Sequence, residues 1–259
     1  MIKKIKLKDY IIILSILLVI SFIVNIYIGI NMINYKYRIG RESYLKIEDI
    51  KQRNESNMDV LNMSIEQGNI KNEDLLKLYK NYDVITSDVM ALWEQYAAYK
   101  QNSLSLFSKK IDTKKVIEND IHGKIKEYMS VTLNEAMKNK ETKLVLSDDY
   151  LNHFSTMQEL SEKIYNYFEK FNSQTLPNIV GEEREKEVVK NHYWIDMLEG
   201  IYDISGDYTN VQWVVSDAKN VNNVESINDE EIARNSINIK NKKSVNTTDN
   251  VNTKENKAK

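Results

Sequence analysis

The chain has 259 residues and a formal net charge of −2, so no global positive field argues for nucleic acid as a partner. It contains no cysteine, which excludes disulfides, thiolate metal sites, cysteine nucleophiles and lipid attachment through cysteine. One proline and seven glycines, beside abundant Lys, Glu, Leu, Ile and Asn, point to an all-α protein, since several strands joined by tight turns need more glycine.

Tyr10 to Ile33, YIIILSILLVISFIVNIYIGINMI, is an apolar run without a charge. A helix of about 20 residues crosses a bilayer at 1.5 Å per residue. Tyr10 stands at one end and Tyr35 and Tyr37 just past the other, where aromatic belts form. Residues 10–34 are therefore expected to be a transmembrane helix, with the lipid bilayer as the first partner. A secretory signal has an apolar core of about 7–15 residues and a small-residue cleavage site. Here the core is longer and the exit reads Ile28, Gly29, Ile30, Asn31, which favours an uncleaved signal anchor. Asn25 is expected to stay wet near an interface; the alternative is a hydrogen bond to a twin helix. Lys3, Lys4, Lys6 and Lys8 precede the run, and Lys36, Arg38, Arg41 and Lys46 follow it. The N-terminal lysines are closer together, so residues 1–9 are read as a short cytoplasmic N-terminus and the bulk of the chain as extracytoplasmic at the cell membrane.

Residues 41–215 are expected to form an antiparallel bundle of four to five helices. Arg41 to Glu66 carries Tyr44, Ile47, Ile50, Met58, Leu61 and Ile65 at helical spacing, and only Gly40 separates it from the anchor. The membrane helix is thus expected to run on into this segment and stop at Gln67, Gly68, Asn69, with a left-handed cap. From Asn72 to about Lys109 the apolar positions fall on Leu75, Leu78, Tyr82, Ile85, Val89, Leu92, Tyr96 and Tyr99. The steps alternate three and four, which is coiled-coil spacing. Tyr79, Trp93 and Phe107 widen that seam toward the broad stripe of a bundle interior. Asn72 is expected as a cap, with Glu73 and Asp74 in the first turn.

A third helix is expected from about Thr113 to Lys140, with Ile117, Ile121, Ile125, Tyr128 and Thr132 on one side and Gly123 as a weak point. A fourth begins after Ser147 and buries Tyr150, Phe154, Met157, Ile164, Phe168 and Phe171. The only proline, Pro177, marks a loop. A fifth opens on the acidic turn Glu182 to Glu187, carries Val188, Ile195, Leu198 and Tyr202, and ends before Gly206. Tyr208 to Val215 alternates like a short extended piece against the bundle. Residues 216–259 lack aromatics and cannot bury enough apolar surface to offset their entropy, so a disordered polar tail is expected.

No phosphate-binding glycine loop and no nucleophile turn is present. His122, His153 and His192 do not pair at helical spacing, and each reads as a surface or bundle-edge residue rather than a metal ligand. The Glu182 to Glu187 cluster reads as an ordinary acidic first turn rather than a cation site. No metal, cofactor or catalytic residue is assigned, and the chain is read as a non-enzyme. Sixteen tyrosines against five phenylalanines are the unusual feature. Tyrosine offers apolar area with a hydroxyl that seeks a partner. Trp93, Tyr96 and Tyr99 are the candidate partner-binding residues, set against their reading as core residues on the helical seam. The layout is similar to the extracytoplasmic four-helix sensor domains of bacterial receptors, although the second span and output module of a complete receptor are not legible. The expected role is binding, scaffolding or an accessory subunit at the cell envelope, with another membrane or envelope protein as partner. Self-association through helices is a further partner reading. The alternative is a ligand-sensing bundle that signals through a partner.

Overall fold

The computed structural model describes residues 7–101, 110–114, 116–140 and 142–214. The chain divides into two units, Met1–Trp213 and Val214–Lys259. The expected tail, residues 1–6 and Phe107 lie outside the described residues. The order of elements is α1 (Leu7–Gln67), β1 (Asn69–Lys71), α2 (Asn72–Gln101), α3 (Ile121–Lys138), β2 (Lys143–Val145), α4 (Asp148–Thr175), α5 (Gly181–Lys190) and α6 (Tyr193–Gly206). Helix holds 81% of these residues, so the protein is mostly helical.

α1 is one uninterrupted helix of 61 residues, about 90 Å long at 1.5 Å per residue. No proline interrupts it. Its first part, from Tyr10 to Ile33, is exposed on every side. Among the described residues it is the one helix long and apolar enough to cross a membrane, by length and composition. The Asn25 side chain donates to Ser21 O of the same helix at 2.9 Å, so its amide is met locally. From Ile39 onward one face is buried, and α2, α4, α5 and α6 all pack against it. The helix stops at Gly68, whose φ of +65° is the left-handed cap expected there.

The buried face of α1 departs from the apolar reading. Ser43, Ile47, Ile50, Asn54, Asn57, Leu61 and Ser64 are buried at alternating steps of four and three. Met58 and Ile65, expected on that face, are only half-buried. Ser43, Asn54 and Asn57 have partners across this seam, and the Ser64 hydroxyl donates to Val60 O of its own helix at 2.7 Å. The Ser43 hydroxyl donates to Gln95 Oε1 at 2.6 Å, and Asn54 Nδ2 donates to Ser161 O at 2.8 Å. Asn81 Nδ2 donates to Asn57 Oδ1 at 2.8 Å, and Lys46 pairs with Asp88 at 2.8 Å.

α2 follows its predicted seam closely. Leu75, Leu78, Tyr82, Ile85, Leu92, Tyr96 and Tyr99 are buried, and Val89 is half-buried. Asn72 is the first helical residue rather than a preceding cap, and its backbone N–H donates to Thr142 O at 3.3 Å. That bond extends a two-stranded antiparallel ribbon, which pairs Asn69 with Val145, Ile70 with Leu144 and Lys71 with Lys143. The fold is therefore not purely α. The ribbon has three residues per strand and joins segments more than 70 positions apart, so no local hairpin signal announces it.

Two helix boundaries also differ from expectation. α3 starts at Ile121, not Thr113, because Asp120 caps it: Oδ1 accepts from Gly123 N at 3.0 Å. Ile117 precedes the helix and is 89% exposed instead of buried. The expected fifth helix is two, α5 and α6, broken at His192 with φ +57°. Asn191 Nδ2 turns back to Glu187 O at 3.1 Å and helps end α5. α4 begins after Ser147 as expected and buries Phe154, Met157, Leu160, Ser161, Ile164 and Phe168. Tyr150 and Phe171 are half-buried. Beyond α6 the chain makes a turn, and residues 211–214 form no strand. Trp213 packs on His153 and Tyr128, with ring centroids 5.6 and 6.0 Å away.

Leu92 is buried mid-seam on α2, and Lys80 is exposed on another side of the same helix. Leu92→Ala should cost about 2–5 kcal/mol through lost packing and a residual cavity. Lys80→Ala should change stability by no more than about 0.5 kcal/mol. Chemical denaturation of the full chain in detergent, with both variants, measures the contrast.

Candidate functional site

Trp93, Tyr96 and Tyr99 lie on successive turns of α2, and this chain's own residues occupy most of their surface. Tyr96 is buried, and its hydroxyl accepts from Ile111 N at 2.6 Å. Tyr99 is buried against His192 and Trp194, with edge-on rings at 4.9 and 6.0 Å. Trp93 is half-buried and meets the ring edges of Tyr202 and Tyr96 at 5.3 and 5.9 Å. Trp93 and Tyr96 also line an open groove of about 680 Å³ together with Ala97, Lys100, Val116 and Ile117. The exposed Ile117 and the half-buried indole of Trp93 give that groove its apolar character.

A second cluster is internal. Asn57, Asn81 and Tyr82 meet Asn54 and Ser161 between α1, α2 and α4. Arg53 adds a hydrogen bond from its guanidinium to Asn81 Oδ1 at 3.2 Å. Burial pushes the Tyr82 hydroxyl up to about 12, with Ser161 and Asn57 acting in the opposite direction. A phenol so placed stays protonated at any physiological pH and does not serve as a base. Sequence reasoning missed this cluster because asparagine and serine at a helical seam look like exposed positions.

His122 was expected at a surface or an edge and is instead buried, stacked on Tyr82 with ring centroids 6.3 Å apart. Its position at the second residue of α3 puts the imidazole against α2. Neither ring nitrogen has a hydrogen-bond partner among the described residues. A small cavity of about 10 Å³ lies beside it, lined also by Asp120, Val89 and Leu198. His153 Nε2 lies 2.9 Å from Gln212 O, and His192 Nδ1 lies 3.0 Å from Val189 O. Within the Glu182 to Glu187 stretch of α5, Glu185 pairs with Arg41 at 2.9 Å and Glu187 accepts from Asn191, while Glu182 and Glu183 in the first turn are exposed. Among the described residues no three potential ligands gather to hold a metal.

A third feature is a groove of about 440 Å³ between α1 and the α5–α6 corner, lined by Ile33, Lys36, Tyr37, Lys186, Lys190 and His192, with Val189 at its floor. No sequence signal joined these residues, which lie about 150 positions apart.

Comparison with protein-family models, curated proteins and solved structures finds no match.

Burial pushes His122 down to about 4, with Asp120 pulling the other way. The folded chain therefore holds the ring neutral, whereas the unfolded chain protonates it near 6.5. Its contribution is complete above about pH 6.5 and is lost as pH falls toward 4, because only the unfolded state takes up the proton. The loss between pH 7.5 and 5 should be about 2 kcal/mol. In denaturation at both pH values, His122→Leu should show a shallower pH dependence than the parent by that amount. Identical slopes would place a charged His122 in the folded state.

Proposed function

We propose that the chain is a single-pass membrane protein that displays a helical bundle outside the cell and works as a binding, scaffolding or accessory subunit of an envelope complex. The observation that carries this reading is α1. Its exposed apolar part is long enough to cross a bilayer, and the same helix continues as the face on which four other helices pack. Water does not stabilise an unburied apolar helix surface of this length, whereas hydrocarbon does.

The residue pairings support an antiparallel arrangement. Moving up α1 through Ser43, Lys46 and Asn57, the partners on α2 descend through Gln95, Asp88 and Asn81. Lys51 faces Glu169 on α4, and Asn62 faces Gln158. The open groove beside Trp93 and Ile117 favours a protein partner, because it is wide and largely apolar. The sensing alternative calls for an enclosed polar pocket, whereas the small cavity beside His122 has room for about one water.

Protease added to intact cells should remove the chain beyond Lys46 while cytoplasmic markers survive. Protection until lysis would reverse the orientation. A photo-crosslinker at position 117, in place of the exposed Ile117, should capture a protein partner in native membranes. Adducts to lipid alone would move the partner site elsewhere.

A further inference from the structure

We infer that the α5–α6 corner docks on the bilayer surface and holds an anionic phospholipid headgroup among Lys36, Lys186 and Lys190. The inference rests on the membrane-anchor reading of α1. It starts from the groove of about 440 Å³ that these lysines line with Ile33, Tyr37 and His192. Ile33 closes the apolar run, and Lys36 and Tyr37 follow within one turn. The groove therefore begins where hydrocarbon ends.

The corner is fixed at that height by packing. The Val189 side chain lies against Gly40, close enough that a Cβ on Gly40 would meet it at 2.9 Å. Arg41 pairs with Glu185 at 2.9 Å, and Arg184 reaches Glu48 at 3.1 Å. As α5 advances from Arg184 to Val189, its partners on α1 move back from Glu48 to Gly40. The basic end of α5 thus points toward the apolar run, and the acidic start points away from it.

The charges around the groove complement an anion. Lys190 and Lys186 are exposed, and Lys36 is half-buried with its ammonium 5.9 Å from the Tyr99 ring centroid. Of the acids on α5, Glu185 is paired with Arg41, Glu187 accepts from the Asn191 amide, and the exposed Glu182 and Glu183 stand in the first turn, at the end of α5 that points away from the apolar run. Lys186 stands 3.8 Å from Glu182, a pair of two exposed side chains that competes weakly with a ligand. Phosphate oxygens at the headgroup level meet three ammonium groups, while Ile33 and Tyr37 offer apolar surface to the glycerol and upper acyl carbons. A soluble acidic peptide fits less well, because one wall of the groove is the end of the span itself. A lysine near an anionic membrane surface favours association by about fivefold.

The full chain is reconstituted in phosphatidylcholine vesicles that carry a trace of dansyl-labelled phosphatidylglycerol or dansyl-labelled phosphatidylcholine. Energy transfer from the tryptophans reads which lipid lies close. Flotation of the vesicles reads insertion. The parent should float and transfer more strongly to the phosphatidylglycerol probe, less so at high salt. A chain with K36Q, K186Q and K190Q should float equally and lose that preference about fivefold or more. K36R, K186R and K190R together should retain it. Equal transfer to both probes in a floating parent, or a preference untouched by the three glutamines, would overturn the inference while leaving the anchor intact. A parent that does not float would overturn the anchor reading and the inference with it.

Discussion

The constraint on which the rest depends is the continuity of α1. One helix carries the exposed apolar run and then the seam that α2, α4, α5 and α6 share. Helix dihedrals are stiff over such lengths unless a proline, an inserted side chain or a glycine pair intervenes. None of these stands between Ile33 and Arg41 except Gly40, and Gly40 is pressed against Val189. The helix that sets the direction of the apolar run therefore also sets where each packed element lies along the axis. The α5–α6 corner falls at the end of the run, and the β1–β2 ribbon closes the far end beyond Gln67.

The seam of α1 adds specificity to that continuity. A purely apolar face tolerates sliding by a turn, since one aliphatic contact replaces another at small cost. Ser43 with Gln95, Asn57 with Asn81 and Asn54 with the Ser161 carbonyl do not slide without leaving buried polar groups unmet. Each such group would cost about 1–3 kcal/mol. The pairs lie at separate heights along α1, so they fix the register of α2 and α4 against it. Lys46 with Asp88 adds a charged pair to the same face.

Much of the fold was legible because it is written in strong local patterns. The apolar run, the stop at Gly68, the α2 seam and the start of α4 each rest on spacing or on one conformationally special residue. The remainder depends on distant partners. Asn54 and Asn57 stand outside the apolar pattern of α1, and their burial makes sense only once Ser161 and Asn81 are placed opposite them. Asp120 competes with its own backbone and delays α3, and the left-handed turn at His192 splits a pattern that reads as one helix. The ribbon is too short to carry a signal of its own. For the candidate site, Trp93, Tyr96 and Tyr99 were visible as a sticky aromatic set. The burial of Tyr96 and Tyr99 follows from their place on the α2 seam, whereas their partners Ile111, His192 and Trp194 follow only from packing. The lysine groove was invisible, because Lys36 and Lys190 meet only when α5 folds back on α1.

The most direct test measures α1 itself. The chain has no native cysteine, so single nitroxide labels can be placed cleanly at Ile23 and Leu45, both exposed. A continuous helix separates these positions by about 33 Å at 1.5 Å per residue. Pulsed electron–electron double resonance on the full chain in lipid vesicles should give a narrow distribution near that distance. A broad distribution, or one centred well below about 25 Å, would mean that the helix bends or breaks between the apolar run and the packed domain, and would contradict the continuity of α1.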